Sequence, residues 1–332
     1  MTALAPKPRL SRMGVYLEAY LAPLAPWLAE PTVTDLYVNR PGELWVERLG
    51  GLAERVEVPA LDETNLWRLA RQVASLSSQG VSREHPLLSA VLPDGARVQI
   101  VAPPATRGGL ALAIRKHVVN DLSLTDYASA GAFASAMTPK TSPDAILRAF
   151  LDAGDIRNFL AAAVRAGKNI VISGGTSTGK TTFLNALLKE VPLDQRLVLI
   201  EDAPEVRLAH ANAVGLVAVR GEQGEARVTT EELLQASLRL RPDRIILGEL
   251  RGAEAFSFLR AVSSGHPGSM TTVHADDPAG AIDQLALMAL QAGANLRRTD
   301  VVDHVRRVVD IFVQLHRESG VRKVREVVFL DR

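Results

Sequence analysis

A chain of 332 residues with 47% apolar side chains is too long for one ordinary hydrophobic core and rich enough to fill two. Its 38 basic and 37 acidic residues nearly cancel, which excludes a global field drawing it onto nucleic acid or an anionic bilayer. With no cysteine there is no disulfide, no thiolate zinc site and no cysteine nucleophile, a composition that fits a reducing cytoplasm.

The N-terminal stretch MTALAPKPRLSRMGVYLEAYLAPLAPWLAE has Glu18 and two prolines inside its apolar part, so it lacks the unbroken core of a signal peptide. Nothing approaches the ~20 charge-free apolar residues that span a bilayer, and any membrane association is expected to be peripheral. From about residue 31, TVTDLYV, the turn RPG and ELWVERLGG alternate as half-buried strands do. DETNLWRLARQVASLSSQG follows, with Leu66, Leu69, Ala70 and Val73 at helical spacing and Gly80 as the C-terminal stop. LLSAVL, the turn PDG, RVQIVA and LALAIRKHVV add three more strands and complete a small α+β domain over residues 1–120.

Residues 121–158 change character: the Ala/Ser-rich YASAGAFASAMTPKTSP has little to anchor a core and reads as a linker. From 159 to 332 apolar strands alternate with amphipathic helices: KNIVISGG, TTFLNALLKE, RLVLIEDAP, LVAVRG, a helix from Glu231 to Leu240, RIILGEL, and a helix from about Glu254 to Ser264. That alternation predicts a largely parallel sheet covered on both faces. Thr229 and Glu232 have capping-box spacing, Asp277-Pro278 opens a further helix that Gly293 closes, and the end reads as a hairpin turned at Glu318-Ser319-Gly320.

GGTSTGKT, Gly174-Gly175-Thr176-Ser177-Thr178-Gly179-Lys180-Thr181, fits G-x-x-x-x-G-K-[ST] between a strand and a helix, with Thr182 next. In that context the glycines let backbone N–H groups turn inward around a β-phosphate, Lys180 places a charge between β- and γ-phosphates, and Thr181 offers its hydroxyl to Mg²⁺. The cofactors expected are therefore ATP and Mg²⁺.

RLVLIEDAPEV sets Glu201 and Asp202 at a strand end, where ligands of open parallel sheets gather. Phosphoryl transfer needs one carboxylate on the metal side and another for the attacking water, and Glu201 is a candidate for either. RPDRIILGEL is a buried strand that ends in Gly248 and Glu249, a glycine where a nucleotide-hydrolysing strand usually carries its metal-holding aspartate. Asp243 precedes the apolar run and lies at the opposite end of the strand. Glu249 is the candidate for polarising water, which leaves Thr181, the phosphates, water and Glu201 for the metal. His266 and His274 flank a short strand; with no third ligand at suitable spacing they read as hydrogen-bonding groups near a γ-phosphate rather than as a metal site.

The ordered set GGTSTGKT, LIEDAPE, RPDRIILGELRG and SSGHPGSMTTVHA resembles the traffic ATPases of bacterial type IV secretion systems, relatives of type II secretion and type IV pilus motors. The likeness is dense from about Val171 to Asp276 and extends more weakly through LYVNRPGELWVE. It implies a RecA-like P-loop C-terminal domain with a smaller α+β, PAS-like N-terminal domain. It also implies Glu249 as the Walker B glutamate, Glu201 as the Asp-box glutamate, and His266 and His274 as the His-box pair. Arg97 and Arg115, whose strands carry no phosphate signature of their own, enter only through the resemblance, as arginines brought onto the nucleotide's phosphates.

The resemblance further implies a homo-hexamer, peripheral on the cytoplasmic face of the bacterial inner membrane and docked on inner-membrane and coupling components of a secretion channel. There it would power substrate transfer or pilus assembly. A type II secretion or type IV pilus motor is the alternative, against which the missing cysteines and the forms RPGELWVE and GHPGS count. A helicase-like ATPase is the more distant one, and with 5% aromatics and balanced charge no direct sequence-specific nucleic-acid binding is expected.

Overall fold

The computed structural model describes residues 14–117, 123–129, 131, 133, 143–219, 225–293 and 296–330. Helices α1 (Val15–Leu21) and α2 (Ala25–Ala29) lead into β1 (Val33–Val38), β2 (Glu43–Arg48) and β3 (Glu54–Glu57). Helix α3 (Glu63–Leu76) then precedes β4 (Leu87–Val91), β5 (Arg97–Val101) and β6 (Ala111–Arg115). The six strands pair antiparallel in the order β3-β2-β1-β6-β5-β4. Asp62 opens α3 by accepting from the Asn65 N–H at 2.8 Å. The helix stops before the expected Gly80: Ser78 takes the left-handed position, with φ of 53°.

The alternation in these strands separates two cores. Leu36, Val98, Ile100, Leu112 and Ile114 pack with Leu66, Leu69 and Val73 of α3. Tyr37, Val101, Ala111 and Ala113 point the other way, into a core shared with the C-terminal domain. The expectation of half-buried strands is therefore corrected for β1, which is buried along nearly its whole length, as is β6. The second face is apolar as well because another domain lies on it.

Helices α4 (Leu124–Ser129) and α5 (Pro143–Asp152) fall within the span read as a linker, and Leu147 of α5 enters a core with Phe159 and Leu160 of α6 (Ile156–Arg165). The chain continues as β7 (Ile170–Gly174), α7 (Lys180–Leu188), β8 (Leu197–Glu201), β9 (Ala213–Val217), α8 (Thr230–Arg239), β10 (Arg244–Leu247) and α9 (Glu254–Ser263). It ends with β11 (Met270–Val273), α10 (Pro278–Leu290), α11 (Arg298–Val308), β12 (Ile311–Glu318) and β13 (Val321–Phe329). The seven strands run in the order β13-β12-β7-β11-β10-β8-β9, parallel except for β13. The Thr229–Glu232 capping box is formed. The terminal hairpin turns through Ser319 and Gly320 at φ of 48° and 84°, the pair of positive values that a two-residue turn matching strand twist requires.

Residues 105–107 extend this sheet beyond β9. The Val217 N–H donates to the Ala105 carbonyl and the Arg107 N–H to the Gly215 carbonyl, each at 2.9 Å, and Thr106 forms an antiparallel bridge with Leu216. Polar contacts fix the rest of the junction. The buried Arg196 guanidinium lies 4.2 Å from the Tyr37 ring and donates to Asn39 Oδ1 at 2.7 Å, and Arg241 donates to Glu47 at 2.8 Å. Burial pushes Arg196 down to about 10, so these partners hold a charge the interior disfavours. Among the described residues no helix is long and apolar enough to cross a membrane.

Candidate active site

The loop from β7 to α7 is shaped by absent side chains. A Cβ on Gly174 would meet Thr178 Oγ1 at 2.6 Å and the Leu315 carbonyl at 2.9 Å, and Gly179 holds φ at 91°. Lys180, first residue of α7, turns back so that Nζ donates to the Gly174 and Gly175 carbonyls at 3.0 and 3.3 Å. Burial lowers the Lys180 pKa, and the Glu249 carboxylate opposes that shift. A cavity of about 560 Å³ opens over this loop, lined in part by Thr181, Glu201, Glu249, Arg251, His274 and Arg322.

On the far wall, Glu249 Oε1 stands 3.7 Å from Lys180 Nζ and 3.0 Å from His274 Nε2. Its other oxygen pairs with Arg251, which reaches Asp202 at 3.4 Å. Glu201 is held on all sides: Oε1 accepts from the backbone N–H of Glu205 and Val206 at 3.1 and 2.8 Å, and Oε2 meets the Arg107 guanidinium. The carboxylate that actually faces the Thr181 hydroxyl is Glu205, at 3.2 Å. Gly248 lies beside Glu201, because β10 runs parallel to β8 with Leu247 opposite Ile200.

Lys180, Thr181, Glu201, Glu249 and His274 are thus brought to one cavity, together with Thr176, Ser177, Thr178, Gly179 and Thr182. His266 is placed elsewhere: its Nδ1 donates to the Ala261 carbonyl at 2.9 Å and closes the end of α9. Arg97 and Arg115 face each other across β5 and β6 and line a separate cavity of about 350 Å³ with Gln99, Arg239 and Arg241. Arg115 Nε is 3.7 Å from Asp35.

Two residues at the cavity, Glu205 and Arg322, and one behind it, Arg107, escaped the reading of the sequence. Glu205 sits in the motif quoted for Glu201, and its place four residues on was the available signal. Arg322 reaches the loop only through the hairpin; its Cδ stands 2.8 Å from where a Gly179 Cβ would be. Arg107 comes from the other domain and had no local signal at all.

Residues 18–319 match the family model described as type II/IV secretion system protein. The type IV secretion system protein VirB11 of Brucella suis is 42% identical over 306 residues, covering 90% of this chain and 84% of that one. VirB11 of Bartonella henselae is 37% identical over 327 residues, covering 93% and 91%. The crystal structure of the VirB11 ATPase of the Brucella suis type IV secretion system, in complex with sulphate, superposes with a TM-score of 0.89 at 39% identity over 96% of each chain.

Proposed function

The chain belongs to the type II/IV secretion system protein family, and from that premise we propose that it hydrolyses ATP to ADP and phosphate to power substrate transfer, pilus assembly or both through a bacterial type IV secretion system. The observation that carries this reading is the meeting of Glu249 and Lys180, 3.7 Å apart at the mouth of the phosphate loop. One supplies positive charge for the β- and γ-phosphates, the other a basic oxygen for water in line with the γ-phosphorus. His274 orients that carboxylate and contacts the γ-phosphate from the same side. The VirB11 relatives favour the type IV branch over type II secretion and pilus motors.

Mg²⁺ fits the site as a phosphate-bound ion rather than a protein-caged one. Among the described residues no group of three or more His, Asp or Glu side chains converges to hold a metal, whereas the Thr181 hydroxyl stands in the open cavity with Glu205 beside it. Thr181 would be its direct ligand, with Glu205 and Glu201 on the water side. When bound, the ion neutralises charge on the phosphate oxygens.

The working form is a homo-hexamer, cytoplasmic and peripheral on the inner membrane, docked on inner-membrane and coupling components of the channel. Arg97 and Arg115 act on a neighbouring subunit's nucleotide. Their opening onto a cavity separate from their own phosphate loop supports this assignment. A phosphate-release assay on wild type and Glu249→Gln, with electron-microscope images in a non-hydrolysable ATP analogue, tests the whole reading. Six-fold rings and turnover that depends on Glu249 are expected; a persistent monomer without turnover overturns it.

A further inference from the structure

We infer that Arg107 of the N-terminal domain is a positioning residue for the ATP site, fixing Glu201 and the turn after it so that turnover depends on the seating of the protein's own N-terminal domain. The inference rests on reading Glu201 as a carboxylate of that site.

Three observations converge on it. The first is how the side chain arrives. Its backbone is clipped to β9 through the Gly215 carbonyl at 2.9 Å, and its stem crosses that strand where a Gly215 Cβ would stand 2.5 Å from Arg107 Cδ and 2.9 Å from Cγ. A glycine inside a strand weakens it and commonly marks the close approach of another group; here that group is Arg107.

The second is what the guanidinium does on arrival. It pairs with Glu201 through Nη2, while Nη1 donates to the Val206 carbonyl at 2.6 Å. The Val206 N–H in turn donates to Glu201 Oε1 at 2.8 Å, which closes a ring of contacts around the carboxylate. That ring includes the turn carrying Glu205, and Glu205 accepts from the Thr181 hydroxyl at 3.2 Å. Moving Arg107 therefore releases both acidic residues on the metal side of the cavity.

The third is burial. The Glu201 side chain is only 3% exposed and the Arg107 side chain 20%. A carboxylate that deep loses its alignment when the cation that holds it is withdrawn. Planar, forked donation to an acid and a carbonyl together is geometry that a lysine ammonium reproduces only in part.

The test is the assembled full-length protein carrying Arg107→Ala, Arg107→Lys or Gly215→Ala, each checked for oligomeric state and melting temperature. For Arg107→Ala we expect kcat to fall by about 10- to 100-fold, with binding of a non-hydrolysable ATP analogue within about threefold of wild type. Arg107→Lys recovers part of the loss, and Gly215→Ala, which pushes on the Arg107 stem, reproduces it. A mere strap between domains would change melting or assembly and leave kcat at saturating ATP alone, and that result overturns the inference. Should Arg107→Ala not fold, Arg107→Lys at wild-type kcat overturns it equally. Glu201→Gln separates the two claims: wild-type turnover there refutes the reading of Glu201 itself, whereas a slow Glu201→Gln beside a fully active Arg107→Ala refutes only the inference about Arg107.

Discussion

A Cβ on Gly248 would stand 3.0 Å from Cγ of Glu201, so the space beside the end of β10 is already filled by the neighbouring strand's acidic side chain. The glycine leaves room for a carboxylate arriving sideways from β8. Restoring an aspartate at this position should therefore harm the protein. Gly248→Asp and Gly248→Ala are expected to lower stability by about 1–3 kcal/mol through overpacking, and to reduce turnover as Glu201 is displaced. Thermal melts and phosphate release check this, and a faster Gly248→Asp enzyme would refute it. In a background where Glu201 is already truncated, adding Gly248→Ala should cost little further stability.

Glu249 faces Lys180 across the cavity, and the role proposed for it, general base toward the attacking water, contributes about 10²- to 10⁴-fold. Glu249→Gln should lose that much kcat while still binding a fluorescent ATP analogue. Equal losses in binding and turnover would assign Glu249 to holding the loop instead.

Lys180 is held below the ordinary lysine range by burial, and Glu249 is the partner that pulls it back up. Removing the negative charge in Glu249→Gln should lower the Lys180 pKa further, so the neutral amine appears at lower pH. Nucleotide affinity, titrated between about pH 7 and 10, should fall off earlier on the alkaline side than in wild type. An unchanged alkaline limb would show that the two groups are not coupled.

Gly268 holds φ at 80°, and a Cβ there would come 2.5 Å from Arg244 Nη1. Arg244 is buried and donates to the Val164 carbonyl at 2.7 Å and to Gln195 at 2.6 Å. Gly268→Ala combines a strained backbone with displacement of that guanidinium, and a loss of about 3 kcal/mol in chemical denaturation is expected. This explains the glycine of the GHPGS stretch by folding rather than by contact with nucleotide.

Mixed rings test the assignment of Arg97 and Arg115. Subunits carrying Arg115→Ala and subunits carrying Glu249→Gln should each be nearly inactive alone. Random one-to-one mixing in a ring whose arginines serve the next subunit restores roughly a quarter of the sites. No recovery on mixing would place the arginines on their own subunit's nucleotide.

The C-terminal sheet could be read because its central strands are covered by helices and so show unbroken apolar runs, as in Leu197 to Ile200. The phosphate loop was legible because its chemistry is local. What stayed hidden was long-range. Ala111 and Ala113 look like ordinary strand residues until a second domain is set on that face. Arg107 reaches Glu201 from a different domain and Arg322 reaches the cavity from a hairpin, through contacts that no spacing along the chain encodes. His266 shows the reverse case, a residue picked out by its motif whose ring closes a helix instead.

The edges of the seven-stranded sheet have a consequence for assembly. On one side residues 105–107 cover β9; on the other, exposed β13 carries Arg322, Lys323, Arg325 and Glu326. An open, uncharged edge would invite another copy to add a strand, and from there unlimited fibres. Here one edge is spent within the chain and the other is guarded by charge. In the hexamer proposed above, copies would then meet through side-chain surfaces, whose geometry can close a ring of fixed number instead of growing without end.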